Sequence, residues 1–165
     1  MEQILVSACL LGAPVRYHGG DARSEHRALA RWRDEGRLVS VCPERDGGLP
    51  TPRPPAEIVG GGGAAVVAKL AVVRTAAGTD VTAEFVRGAE LARDVVRQHR
   101  IRIAVLKDGS PSCGSGSIYD GTFSGTRVAG TGVTAALLQA QGVRVFSDRE
   151  IDQAEEYLAV LEGME

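Results

Sequence analysis

The sequence lacks the features that mark several specialised classes of protein. Its 19 Lys and Arg residues against 21 Asp and Glu residues give a formal net charge of -2. There is therefore no basic excess with which to bind a nucleic-acid polymer or an anionic membrane surface. No apolar run reaches the roughly 18–20 residues that span a bilayer, and the N-terminus lacks the basic segment and long apolar stretch of a signal peptide. We expect a soluble, cytoplasmic protein.

Cysteine is scarce as well, with three residues in a chain of 165. An odd number of thiols in a reducing compartment argues against a disulfide framework. No Cys-x-x-Cys pair supports a zinc ribbon or a thioredoxin-type motif. Hydrophobic residues make up 44% and charged residues 24% of the chain, as in ordinary globular proteins. We expect one domain over residues 1–165 that forms its core without disulfides.

The hydrophobic pattern predicts strands and helices in alternation. Strands are predicted at residues 4–9, 38–42, 64–74, 101–106 and 143–146, and helices at 24–35, from Asp80 or Thr82 to 99, 131–141 and 151–161. Ser24 is a plausible N-cap of the first helix and Gly36 its stop signal. Residues 43–55 are rich in proline and are predicted as a loop. The alternation indicates an α/β fold, Rossmann-like, with a mostly parallel sheet and helices on both faces.

All three cysteines fall at or just beyond the end of a predicted strand. Cys9 and Cys42 end their strands, and Cys113 lies in the turn-rich loop after the strand at 101–106. Ligands bind outside the carboxyl ends of the strands in an open parallel sheet. The thiols are therefore predicted to converge on one soft-metal site. Three thiolates suit zinc, copper(I) or an iron–sulfur cluster.

Several unusual loop motifs follow one another along the chain. They are VSACLLG at 6–12, VRY at 15–17, VCPE at 41–44, GGLP at 47–50, PR at 52–53, PAE at 55–57, DVT at 80–82, LK at 106–107, SPSCG at 110–114, IYDG at 118–121 and GTGVTAALL at 130–138. With these motifs the chain resembles a bacterial family long labelled a domain of unknown function, which includes the thiouracil desulfidases. The sequence departs from the family pattern at His18 and at Arg45-Asp46, two places predicted to flank the pocket.

The resemblance implies both a cofactor and a reaction. The cofactor would be a [4Fe-4S] cluster held by Cys9, Cys42 and Cys113. The reaction would be the non-redox removal of sulfur from a thiolated pyrimidine, a small-molecule thiolated nucleobase of the thiouracil type. Three protein ligands leave one of four irons open, and a thiocarbonyl sulfur is soft enough to bind it. We then expect water to attack the ring carbon and sulfur to leave as sulfide.

This reaction moves protons, so it calls for an acid–base group near the cysteines. Glu44, two residues after Cys42, is the first candidate, because positioned acid–base groups contribute about 10²–10⁴-fold to a rate. Ser110 or Ser112 would orient the water or hold the ring, since a hydroxyl both donates and accepts hydrogen bonds. The sequence leaves the choice between the two serines open.

Three cations lie near the motifs. Arg16 and Arg53 are candidates for a charge beside the cluster, because an oxidised cluster with three thiolates is anionic. Lys107 is expected to form an ordinary surface ion pair.

Two other functions are compatible with parts of the sequence. Residues 130–135 fit a dinucleotide-binding fingerprint, with Asp148 near the expected distance. Too little chain follows for the rest of such a unit, so we interpret these glycines as a tight junction between a loop and a helix.

The second interpretation is non-catalytic. The cysteines would hold a cluster or a zinc ion for redox sensing or for sulfur and iron delivery, with Glu44 or His18 as a fourth ligand.

Overall fold

The fold is built around a four-stranded parallel sheet, seen in a computed structural model that describes residues 1–163. The last two residues of the domain predicted over 1–165 lie outside the described residues. The sheet consists of β1 (Ile4–Ser7), β2 (Leu38–Val41), β5 (Ile103–Leu106) and β8 (Arg144–Ser147), in the order β2-β1-β5-β8. Ile4 pairs with Leu38 on one side and Ile103 on the other, and Ile103 pairs with Arg144.

Helices cover both faces of this sheet because side chains alternate along each strand. Ile4 and Val6 of β1 pack with Trp32 of α1 (Arg27–Asp34) and Leu158 of α6 (Ile151–Gly163). Leu5 points to the other face, which is covered by α4 (Thr82–His99) and α5 (Val133–Ala140). Burial on both faces explains why the two central strands, β1 and β5, are almost wholly apolar. The predicted α/β architecture is confirmed.

Two antiparallel pairs stand beside the main sheet. One pair joins β3 (Ala56–Val59) to β4 (Val72–Thr75), and the other joins β6 (Ser117–Tyr119) to β7 (Arg127–Ala129). The remaining secondary structure of the described residues consists of two short helices, α2 (Pro43–Asp46) and α3 (Gly63–Val67), and a 3₁₀ turn over Ala8–Leu11. The β3–β4 pair packs on α4 and α5 through a third apolar cluster that includes Ile58, Val73 and Phe85.

The prediction for residues 64–74 was wrong in part. They contain α3 and a turn before β4 begins at Val72. Alanine favours a helix, and the backbone N–H of Gly63 at the start of α3 donates to the carbonyl of Thr131. The proline-rich stretch 43–55 is not wholly a loop either. Pro43 opens α2, where its fixed φ angle and missing N–H suit a first helical position.

The helix termini also refine the sequence prediction. His26, not Ser24, is the N-cap of α1, and its Nδ1 accepts the N–H of Ala28 at 3.0 Å. Gly36 follows the end of this helix with a φ of 73°, a left-handed conformation that favours glycine. At the start of α4, Asp80 Oδ1 accepts the N–H of Thr82 at 2.9 Å. Among residues 1–163, none of the helices has the length and apolar character needed to cross a membrane.

Candidate active site

A cavity of about 490 Å³ opens at the carboxyl ends of β1, β2 and β5. Ser7, Val41 and Lys107, the residues at or just after these strand ends, line it. The β3 strand and the β6–β7 pair also contribute lining residues. The volume lies within the range typical of small-molecule sites, about 300–1,000 Å³.

All three cysteines line this cavity. Cys9 lies in the 3₁₀ turn after β1, Cys42 is the N-cap of α2, and Cys113 lies in the loop after β5. The parallel sheet therefore brings together thiols that are far apart in sequence. No disulfide links them. Convergence on one site, as predicted from the strand ends, is what the geometry shows.

Burial governs the acidity of these thiols. It raises the pKa of Cys9 to about 11, although the nearby Arg16 charge acts in the opposite direction. Burial also raises the pKa of Cys42, and it holds that of Cys113 well above its usual value. A hydrogen bond from Ser7 to Cys113 opposes this effect and favours the thiolate. Since a metal binds the thiolate, loading this site must release protons.

The donor set fits an iron–sulfur cluster better than a single metal ion. Within residues 1–163, no group of three His, Cys, Asp or Glu side chains is arranged to surround one ion. In a cluster each cysteine binds a different iron, so the sulfurs lie further apart than the ligands of one ion. Three thiols around one roomy cavity, with Ser7 hydrogen-bonded to one of them, are the donor set that such a cluster needs.

Glu44 lies on the cavity wall and is bound to a buried arginine. Its Oε2 is 2.5 Å from an Nη of Arg53, whose side chain is only 4% exposed. Both residues line the cavity. Both residues lie in the proline-rich stretch, and sequence spacing gave no indication of their contact, because it depends on how that stretch folds back. Arg53 thus acts on a protein carboxylate and not as an isolated charge.

The two candidate serines occupy different environments. Ser110 lines the cavity, and its Oγ accepts the backbone N–H groups of Ser112 and Cys113 at 3.0 and 3.1 Å. Ser112 is fully buried, is not among the cavity-lining residues, and exchanges a 2.7 Å hydrogen bond with Thr134 of α5. With both bonds on Ser110 Oγ accepted, its hydroxyl hydrogen is available to donate to a bound molecule.

The other charged residues singled out in the sequence also differ in whether they line the cavity. Arg16 and Lys107 line the cavity. Lys107 Nζ lies 3.5 Å from Asp148, but the two side chains are only 21% and 19% exposed, so this is not the surface ion pair expected. His18 is not among the lining residues, and its Nδ1 accepts the N–H of Gly20. This position gives no support to His18 as a fourth ligand.

The second glycine of the dinucleotide fingerprint, Gly132, faces protein backbone. Gly132 is the N-cap of α5, and its N–H donates to the carbonyl of Gly114 at 2.7 Å. A Cβ at Gly132 would lie 2.4 Å from the carbonyl oxygen of Ser112. The glycine is therefore needed because the thiol-bearing loop packs directly on the start of α5. This is the loop–helix junction that the sequence predicted.

Sequence reasoning assigned no role to a second carboxylate in the cavity. Glu57 of β3 is 9% exposed and lines the cavity. Its Oε1 accepts the backbone N–H groups of Gly121 and Phe123 at 2.9 and 3.2 Å. These residues follow β6, so Glu57 fastens the β6–β7 pair beside the cavity. A glutamate in a strand of otherwise apolar residues was the one signal of this role.

Comparison with known proteins agrees with this geometry. The family model described as 2-thiouracil desulfurase matches residues 4–150. The chain belongs to this family. It is 47% identical over 149 residues to an uncharacterised protein, YbbK, of Bacillus subtilis (strain 168), with 90% of this chain and 97% of that protein covered.

A solved structure gives the same result for the fold. The chain is similar to the [4Fe-4S]-dependent thiouracil desulfidase TudS, with 49% identity and a TM-score of 0.89. The match covers 97% of this chain and 99% of that one. The family resemblance inferred from the loop motifs is therefore confirmed, and so is the Rossmann-like α/β fold.

Proposed function

We propose that the protein is a [4Fe-4S]-dependent desulfidase that hydrolyses a thiouracil-like substrate to uracil and sulfide without net redox change. The observation that carries this proposal is the convergence of Cys9, Cys42 and Cys113 on one cavity. Membership of the 2-thiouracil desulfurase family and 49% identity to TudS support it. The activity is assigned to one domain over residues 1–165.

The three cysteine thiolates would hold the cluster. When bound, a cluster with three protein ligands supplies an open iron that acts as a Lewis acid toward the substrate sulfur. The chain itself must then bind the ring, exclude bulk water and move protons. The cavity is partly apolar, with Val41, Leu49 and Phe85 among its lining residues, and these side chains suit the faces of a planar ring.

Glu44 is proposed to move the protons. Its carboxylate lies on the cavity wall two residues from Cys42. There it would take a proton from the oxygen of the attacking water and return one to the leaving sulfur. Positioned groups of this kind contribute about 10²–10⁴-fold to a rate.

Ser110 is proposed to hold the substrate or the water. Its oxygen already accepts two backbone N–H groups, so the hydroxyl donates toward the cavity. An oxygen of the pyrimidine ring or the attacking water would be the acceptor. The buried contact between Ser112 and Thr134 supports a structural role for Ser112.

The substrate is proposed to be a small thiolated nucleobase and not a nucleic-acid polymer, and the enzyme is proposed to act in the cytoplasm. The balanced charge of the chain supports this assignment, because polymer binding depends on basic surfaces that neutralise phosphates. The reaction consumes one water and yields one uracil and one hydrogen sulfide per thiouracil.

The test is turnover by anaerobically reconstituted protein. We expect thiouracil to be converted to uracil with an equal amount of sulfide released and with no added reductant or oxidant. A protein that retains its cluster but releases no sulfide from 2-thiouracil or 4-thiouracil would instead favour redox sensing or sulfur and iron delivery.

A further inference from the structure

Arg53 is a cation held almost entirely inside the protein. Its side chain is 4% exposed, and a charge removed from water is stable only when it is paired and hydrogen-bonded. One Nη donates to Glu44 Oε2 at 2.5 Å and to the carbonyl of Val15 at 2.9 Å. The other donates to the carbonyl of Pro50 at 3.2 Å and to Thr51 Oγ1 at 3.1 Å.

These contacts leave the guanidinium little freedom. Its backbone is fixed as well, since the N–H of Arg53 donates to the carbonyl of Tyr17 at 2.7 Å. Glu44, by contrast, lies in a helix of only four residues, and its side chain is 19% exposed. Within residues 1–163, the Glu44 carboxylate accepts a hydrogen bond from Arg53. The guanidinium, held by its other acceptors, therefore fixes the orientation of the carboxylate that it binds.

The same guanidinium reaches the neighbourhood of Cys42. The Val15 carbonyl that accepts Arg53 also accepts the Cys42 thiol at 3.9 Å. A cysteine that binds a metal has lost its proton and cannot donate. Arg53 is then the donor that keeps this carbonyl satisfied. It therefore connects the proposed acid–base group to the segment beside a proposed ligand.

We propose that Arg53 is a positioning residue for the desulfidase reaction. It binds one oxygen of Glu44 and thereby turns the other toward the cavity next to Cys42. This inference rests on the proposed function. Lysine would be a poor substitute, because a guanidinium binds several acceptors in a fixed plane and an ammonium does not.

The test uses Arg53→Met and Arg53→Lys, each made in the wild-type and in the Glu44→Gln background. We expect Arg53→Met to lower kcat by about 10–100-fold, the usual effect of losing a group that orients an active-site residue. The KM and the iron and acid-labile sulfide content should stay near wild type. Arg53→Lys should restore part of the rate. In the Glu44→Gln background Arg53→Met should lower kcat by less than about twofold more, because effects within one unit are not additive.

The matched control is Arg37→Met. Arg37 is also mostly buried and ion-paired, at 2.5 Å to Glu162, but it does not line the cavity. We expect this variant to unfold at a lower urea concentration with kcat unchanged. An equal fall in kcat for Arg37→Met would show that loss of a buried ion pair alone explains the Arg53 result, and would overturn the proposal.

A second readout does not depend on activity. In cluster-free protein, urea unfolding of the Arg53→Met, Glu44→Gln and double variants should show coupling, with the double variant more stable than the sum of the single effects implies. Additive unfolding effects, multiplicative kcat effects, or loss of cluster in proportion to activity would each contradict the proposal. If wild-type protein releases no sulfide, the proposed function fails, while coupling in the cluster-free protein still tests the Arg53–Glu44 contact.

Discussion

The cavity combines two groups of lining residues that differ in construction. The first group, the rim, consists of Cys9, Cys42, Glu44, Ser110 and Cys113, which follow strands of the main parallel sheet. The second group, the hairpin side, consists of Glu57 from β3 and Tyr119 and Arg127 from the β6–β7 pair.

The rim is supported by a sheet buried on both faces. All four residues of β1 and of β5 are buried. In the β6–β7 pair, by contrast, every residue of β7 is exposed, and the pair is held in part by backbone hydrogen bonds to Glu57. A cofactor and its acid–base group need fixed positions, which the rim offers. The hairpin side is better suited to enclosing a substrate. Each of the following changes tests that division.

The largest effect is expected from removing a cysteine of the rim. Cys113→Ala should abolish both the brown absorbance of the cluster and sulfide release, because the remaining two thiolates do not complete the ligand set. Cys9→Ala and Cys42→Ala should do the same. Visible absorbance after anaerobic reconstitution measures the result. Full cluster retention in the Cys113 variant would remove it from the proposed ligand set.

The next effect is expected from the rim carboxylate. Glu44→Gln should leave the cluster content intact and lower kcat by about 10²–10⁴-fold, the range for loss of a positioned acid–base group. Rates and iron content are measured on the same preparation. Unchanged turnover would mean that another group moves the protons.

Variants of the two serines compare a hydroxyl that lines the cavity with one that is buried behind it. Ser110→Ala should lower kcat by about tenfold, since it removes one hydrogen bond to the reacting molecule, of roughly 1–1.5 kcal/mol. Ser112→Ala should lower the free energy of unfolding by about 1 kcal/mol through loss of its contact with Thr134, with kcat unchanged. Steady-state kinetics and urea unfolding of both variants decide the matter. A slower reaction in the Ser112 variant than in the Ser110 variant would reverse the assignment.

A smaller effect, on binding alone, is expected on the hairpin side. Glu57→Ala should raise KM by about fivefold, equivalent to roughly 1 kcal/mol for a lost hydrogen bond, with kcat within about twofold of wild type. Glu57→Gln is the matched control, because its amide oxygen can still accept the N–H groups of Gly121 and Phe123. A large fall in kcat with unchanged KM would show that Glu57 takes part in the chemistry.

The smallest effect is expected where the two groups join. Asp108 follows β5, and its carboxylate accepts the N–H groups of Gly116 and Ser117 at the start of the β6–β7 pair. Burial opposes ionisation of Asp108, yet these backbone bonds hold its pKa below the usual value. A pKa lowered by folding stabilises the protein at neutral pH, and this contribution is lost as pH falls through the folded-state pKa.

Asp108→Asn should therefore reduce the free energy of unfolding at pH 7 by less than about 1 kcal/mol, because the group is partly exposed. The difference from wild type should shrink below about pH 4, where the unfolded carboxyl is protonated. Urea unfolding of cluster-free protein at pH 7 and pH 3 measures this. A difference that stays constant between the two pH values would contradict the assignment.

The same two groups differ in how far the sequence predicted them. The rim could be predicted because β1, β2 and β5 are short apolar runs followed by cysteine or by a turn-rich loop, and parallel strand ends meet at one edge. The hairpin side could not be predicted from the sequence. The residues of β7 are exposed and carry no hydrophobic alternation, so no sequence pattern distinguishes them from a loop.

Around the rim, the sequence predicted which residues lie near the cavity better than it predicted the contacts that those residues make. The contact between Glu44 and Arg53 depends on how the proline-rich segment folds back. The burial of Ser112 depends on α5, 22 residues further along the chain. Both depend on tertiary packing that local spacing does not encode. The roles of Glu44, Ser110 and the three cysteines stay predictions until the variants are made.

Cluster binding by the three cysteines is tested most directly by the iron and acid-labile sulfide content of wild-type protein reconstituted and handled without oxygen. We expect about four irons and four sulfides per chain, lost together when any one of the three cysteines is replaced. A single metal ion per chain, or a cluster that survives those replacements, would contradict it.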